Sequence, residues 1–226
     1  MTIQSGSDLD GRTIGEIAAT LPGATAVFRK FKMDFCCHGD ADVGDMARQC
    51  GVDTSDLAEA LDALEKSKTP VPTTPETDEL IDHILRYHET HRRELPQLIT
   101  LARKVETVHA GHPQAPHGLA DLLHQMRGEL EVHMKKEELI LFPAMRRGPR
   151  ARFDAPIAQM RHDHDDHGEQ MRRMETLTGD FTPPAGACRS WQALCTGAAK
   201  LAEDLMEHIH LENNILFPRY QGALAS

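Results

Sequence analysis

The chain has 226 residues, room for one large domain or for a small and a medium one, and it carries 35 acidic against 25 basic residues. A net charge of −10 argues against nucleic acid and anionic membrane surfaces as partners, and no apolar run approaches the length of a membrane span. Aromatic residues are few, while Leu, Ala, Met, Glu and Arg dominate, a composition that favours helix.

The opening stretch MTIQSGSDLDGR has neither a basic start nor an apolar run, so no secretory signal is expected. The five cysteines do not form a secreted disulfide framework, which makes a reducing cytoplasm the expected location. Residues 1–68 read as a small domain of short helices. Thr13-Ile-Gly-Glu16 is a capping-box pattern ahead of an apolar run. Asp53 to Lys66 places Leu57, Leu61 and Leu64 on one stripe, with Asp53 to Ser55 as candidate caps. Between them, Met33 to Asp40 has no clear periodicity. So short a segment predicts a thin core that leans on the rest of the chain.

The adjacent thiols Cys36 and Cys37 can form a strained disulfide, bind a soft metal or pack as core residues. They are flanked by His38 and Asp40 in a glycine-containing turn, and the residues by themselves leave the three readings open, whereas Cys50, Cys188 and Cys195 read as small core residues. Residues 69–77 form a linker in which Pro70, Pro72 and Pro75 favour an extended, stiff spacer.

Residues 78–226 suit an antiparallel four-helix bundle, giving an all-α chain. The expected helices lie near 76–109, 115–146, 153–178 and 185–219. Turn chemistry separates them at Ala110-Gly-His-Pro113, at Gly148-Pro149, and from Gly179 to Pro183-Pro184. Pro143 and Pro218 fall deep in two of these helices and are expected to kink or end them. Phe142 and Phe217 then plug the bundle end.

One pattern occurs twice. Residues 133–143 read HMKKEELILFP and residues 208–218 read HIHLENNILFP. His133 with Glu137, and His208 with Glu212, stand at i and i+4, one turn apart on one helix face. Upstream, His88 precedes His133 by 45 residues and His164 precedes His208 by 44. Four histidines and two glutamates in pseudo-twofold order suggest a dinuclear site, and imidazole with carboxylate suits iron. A single HxxxE pair is more often a solvated helix face; the repetition is what favours metal.

Other groups lie near the set. Glu129 and Asp204 each stand one turn before a ligand histidine and can hydrogen-bond an imidazole. Asp163 adjoins His164 and can line an iron or proton path. His91 and His210 are also close in sequence, while His162 and His167 read as a solvated polar face.

These residues resemble a known family over nearly the full chain. Asp34-Phe-Cys-Cys37, Arg86-Tyr-His88 through Pro96, Lys135 through Pro143, Asp163-His164-Asp165 and His208 through Arg219 are similar to iron–sulfur cluster repair proteins, also called repair of iron centres, which carry a hemerythrin-like domain. The resemblance implies two iron ions, oxo- and carboxylate-bridged, held by His88, His133, Glu137, His164, His208 and Glu212, with the two glutamates as bridges. It implies repair of clusters damaged by nitrosative or oxidative stress, by donation of labile iron, with Cys36 and Cys37 available for redox or iron transfer. Damaged iron–sulfur proteins are the implied partners, NO or O2 the implied small ligands, and a monomer or homodimer the implied assembly. An alternative is a nitric oxide reductase forming nitrous oxide at the same centre; another is a non-catalytic NO or O2 sensor.

Two departures separate the chain from oxygen-carrying hemerythrins. Their HxxxH pair is missing, since Gly168 follows His164 by four and Met160 precedes it by four, and Asn213 stands where they carry Asp. The loss of one His implies room for an exogenous ligand. Within the repair family the Cys pair is commonly followed by Gly, and here by His38. All six ligand candidates lie in residues 76–226, so that part is expected to fold and bind two irons by itself.

Overall fold

The computed structural model describes residue 9 and residues 11–67, 75–148 and 152–221. Most of the predicted linker, and Pro149 of the second predicted break, lie outside these. The described residues are helical, with one isolated β-bridge between Thr13 and Asp42 and no strand among them. The helices are α1 Ile14–Thr20, α2 Ala24–Lys30, α3 Val43–Gln49, α4 Thr54–Lys66, α5 Thr77–Val108, α6 Leu119–Lys136, α7 Phe142–Arg146, α8 Asp154–Leu177 and α9 Arg189–His210. The described residues divide into two compact units: those up to residue 80 together with 209–221, and those between 81 and 208.

The larger unit is the helix bundle. Its apolar stripes follow helical spacing, as in Ile81, Ile84, Leu95, Leu98, Ala102 and Val105 of α5, all buried. His88 and His91 occupy two positions of that same stripe and are equally buried. Helix direction follows from paired contacts. His88 meets His208, and Lys200 meets Glu94, so α5 and α9 run antiparallel. His133 meets His164 and Glu129 meets Gln170, so α6 and α8 do likewise.

Helix α6 passes through a π-helical turn, Glu137–Leu141, into α7, and α9 passes through another, Leu211–Leu216, into a 3-10 turn, Phe217–Tyr220. Here the structure differs from the expected break. Pro143 and Pro218 lack an N–H and crowd the preceding turn. Each helix widens just before its proline instead of stopping: the Phe142 N–H donates to the Glu137 carbonyl and the Phe217 N–H to the Glu212 carbonyl, five residues back in each case. Both phenylalanines are buried, as expected of plugs.

In the smaller unit the predicted caps form. Thr13 Oγ1 accepts from the Glu16 N–H at 3.2 Å, and Asp53 Oδ1 accepts from the Ser55 N–H at 2.8 Å. Leu57 and Leu61 are buried together with Ile14, Ile17, Phe28 and Phe35. The end of the last helix belongs to this unit. Asn214 Nδ2 donates to the Phe35 carbonyl at 2.8 Å, and the Phe35 ring meets the His210 ring edge-on at 5.5 Å. Of the three cysteines expected as core residues, only Cys195 is buried; Cys50 and Cys188 are exposed, because their helix-end positions face outward.

Candidate metal centre

The π turns and the stripe histidines build one cluster. His88, His133, Glu137, His164, His208 and Glu212 are all buried. Their ligand atoms fall into two sets: His88, Glu137, His208 and Glu212, and His133, Glu137, His164 and Glu212, with the atoms of each set within 4.8 Å of one another. Both glutamates belong to both sets. The imidazoles pair across the sequence repeat rather than within it. His88 Nε2 lies 3.1 Å from His208 Nε2, and His133 Nε2 lies 3.1 Å from His164 Nε2. Glu137 Oε2 stands 3.4 Å from His88 Nε2 and 3.4 Å from His133 Nε2, equally placed between the two histidines.

Two of these imidazoles have their orientation fixed from behind. His88 Nδ1 donates to Glu138 Oε1 at 2.8 Å, and His133 Nδ1 donates to Asp163 Oδ2 at 3.2 Å. A carboxylate at Nδ1 keeps the proton there and leaves Nε2 bare, facing the cluster. Arg92 holds Glu138 through Nη1 at 2.8 Å and Nη2 at 3.1 Å, and Lys136 holds Asp163 at 2.9 Å. Hydrogen bonds to Glu138 and then Glu131 push the Arg92 pKa up, and the hydrogen bond from His133 holds the Asp163 carboxyl well below the usual range. Each side therefore carries the same relay of cation, carboxylate and imidazole.

The other expected partners point elsewhere. Glu129 accepts from Gln125 and Gln170, and Asp204 from Lys200; neither reaches a ligand imidazole. Sequence adjacency linked Asp163 with His164, but its partner is His133. Glu138 was missed. It follows Glu137 directly, and its partner His88 lies 50 residues away, so no local spacing announces it. His162 is exposed as expected, whereas His167 is buried, contrary to the solvated face expected for it. His167 Nδ1 donates to Gln170 Oε1 at 3.2 Å and its ring meets His133 edge-on at 5.5 Å. Burial pushes its pKa down to about 4, so the ring stays neutral. A groove of about 540 Å³ opens beside this half of the site, lined by Glu129, Val132, Lys136, Asp163, Asp166 and His167 among others.

The donor set fits metal ions. Two wholly buried carboxylates among four imidazoles call for positive charge. Two nitrogens each about 2.1 Å from one ion and at right angles stand about 3.0 Å apart, close to the spacing of each imidazole pair. Oxygen and imidazole ligands together suit iron.

A four-helix bundle with converging imidazoles and two shared carboxylates defines a hemerythrin-like metal-binding protein. Comparison with known proteins agrees: the Hemerythrin HHE cation binding domain matches residues 79–220, and ScdA_N, Domain of Unknown function (DUF542), matches residues 10–65. The Iron-sulfur cluster repair protein YtfE of Dickeya chrysanthemi is 44% identical over 218 residues, covering 92% of this chain and 96% of its own. The protein of the same name from Edwardsiella ictaluri is 43% identical over 221 residues, covering 93% and 97%. A Probable iron-sulfur cluster repair protein of Haemophilus influenzae is 42% identical over 211 residues, covering 91% and 95%. The chain belongs to the iron–sulfur cluster repair family.

Proposed function

We propose that this protein holds two iron ions at His88, His133, Glu137, His164, His208 and Glu212, and that it repairs damaged iron–sulfur proteins by donating that iron. The observation that carries the reading is the position of Glu137 Oε2, 3.4 Å from the Nε2 atoms of both His88 and His133. A carboxylate equally placed between two half-sites serves both ions and offsets their mutual repulsion. The relatives named as repair proteins support the same role here.

Bound iron supplies exchangeable, redox-active cations. The chain's residues set how tightly they are held. Glu138 and Asp163 keep Nε2 of His88 and His133 unprotonated and aimed inward, which favours loading. Imidazoles release a metal when protonated, so the hold of a histidine-rich site on iron falls as pH falls. The groove beside Lys136, Asp163 and His167 is the route by which a small ligand such as NO or O2 reaches the His133 side. Cys36 and Cys37 take part in transfer, and the damaged clients meet the protein in the cytoplasm.

The test mixes the reduced, iron-loaded protein anaerobically with an iron–sulfur protein stripped of its cluster iron. The donor reading expects iron to move and client activity to return. A parallel sample receives NO and is assayed for nitrous oxide. Nitrous oxide produced without loss of iron, with no transfer to the client, would replace donation by nitric oxide reduction.

A further inference from the structure

Asp34, Cys36 and Cys37 form a compact cluster in the smaller unit that the bundle centre does not use. Cys36 Sγ lies 3.7 Å from Cys37 Sγ and 3.3 Å from Asp34 Oδ1, and all three ligand atoms lie within 4.8 Å of one another. The spacing is informative. Two sulfurs each about 2.3 Å from a tetrahedrally coordinated ion stand about 3.8 Å apart. A disulfide would need about 2.05 Å. The sulfurs are thus set at the chelating distance, on neighbouring residues where a disulfide would be strained.

The cluster is also oriented. The two Asp34 oxygens face different ways: Oδ1 accepts from the Cys37 N–H at 3.0 Å and faces Cys36 Sγ, while Oδ2 meets His38 Nδ1 at 3.0 Å. Carboxylates that bind a metal are themselves hydrogen-bonded, and His38 is such a partner for Asp34. The loop is pinned to the turn that bears Glu212. Asn213 Nδ2 donates to the Cys36 carbonyl at 2.9 Å, and Asn214 Nδ2 to the Phe35 carbonyl at 2.8 Å. Cys36 is buried, whereas Cys37 and Asp34 are half-buried and His38 is exposed, so one side of the cluster opens to solvent.

We propose that Asp34, Cys36 and Cys37 constitute a second metal-binding site, for a single borderline divalent cation, with His38 positioning the Asp34 carboxylate. Three protein ligands and an open fourth position make a site that exchanges its ion, unlike a closed four-ligand structural site. On binding, both thiols lose their protons to solvent, and two thiolates plus one carboxylate around a divalent ion leave one net negative charge. The Cys36 thiol is pushed up by its hydrogen bond with Cys37 and further by burial, so the ion has to displace a proton that is otherwise retained. As a stop for ferrous iron on its way from the bundle to a client, the site rests on the iron-donor reading; as a metal site it stands on its own geometry.

The test uses the full chain, iron-loaded and kept reduced, titrated anaerobically with Co(II). Cobalt bound by thiolate gives a near-ultraviolet charge-transfer band that cobalt on His and Glu does not. We expect the band to saturate at one cobalt per chain. The Cys36→Ser/Cys37→Ser variant should lose it while bundle iron and helical circular dichroism stay unchanged. Asp34→Asn, which removes a ligand charge, and His38→Gly, which removes that ligand's partner, should each weaken cobalt binding by roughly tenfold or more. No band in the unaltered chain, or a band that survives in the double variant, overturns the second site. The band reads this site whatever the bundle contains, and iron content reads the bundle, so failure of one reading is separable from failure of the other.

Discussion

Glu137 and Glu212 belong to both sets of ligand atoms, whereas each histidine belongs to one. With two ions held as proposed, removing a histidine, as in His88→Ala, would leave a vacancy that water fills on one ion, whereas removing a shared carboxylate would take a ligand and a negative charge from both. Glu137→Leu or Glu212→Leu should therefore lower iron occupancy further than His88→Ala, at unchanged helicity since Leu is a good helix former. Iron per chain and circular dichroism measure this; iron retained at the unaltered level in either Glu variant would remove that residue from its role. Glu138 acts through His88. Glu138→Leu takes away the acceptor at Nδ1 and should weaken iron binding by about 10- to 100-fold, with Glu138→Gln recovering most of it. Equal affinities for all three would leave Glu138 with only its ion pair to Arg92.

At the scale of elements, the HxxxE pairs, the helices that carry them and the caps at Thr13 and Asp53 could be read from local spacing, because i, i+3 and i+4 relations are contained in one helix. What no local pattern holds is how helices pair. The repeat suggested two equivalent halves, and the two ligand sets are equivalent; what it did not show is that each half forms across the repeat, His88 with His208 and His133 with His164, since α5 packs on α9 and α6 on α8. The same limit hid Glu138 and misplaced His167, whose burial depends on the Gln170 and Glu129 side chains around it. The widened turns were half legible. The prolines announced a disturbance, but a π turn rather than a break follows in α6 because Phe142 and Met145 beyond it still bury themselves. Close approach is another element-level feature. A Cβ on Gly15 of α1 would stand 2.7 Å from the Gly39 carbonyl oxygen and 2.8 Å from Asn214 Oδ1. The Gly39 backbone cannot yield as a side-chain tip can, so Gly15→Ala should destabilise the protein by about 1–3 kcal/mol. Chemical denaturation measures it, and a loss below about 0.5 kcal/mol would show that the contact relaxes freely.

For the whole molecule, the sequence suggested that residues 76–226 stand alone. The thin N-terminal core does lean on later residues, but specifically on residues 209–221, which cluster with residues 1–80 as one unit. Asn213 and Asn214 bond the Cys36 and Phe35 carbonyls, and His210 meets the Phe35 ring. A chain cut to residues 76–226 loses all of these partners from the turn that presents Glu212. It should still be helical, yet hold less iron than the full chain and melt lower. Full iron content in the fragment would return the N-terminal unit to an independent role.

In the proposed function one centre holds two ions through shared carboxylates. Mössbauer spectroscopy of the oxidised, iron-enriched full chain, with the iron content measured on the same sample, tests it most directly. Two irons per chain are expected, with a spectrum of coupled ferric ions that shows no magnetic splitting at low temperature and low field. One iron per chain, or the magnetically split spectrum of isolated ferric ions, would contradict it.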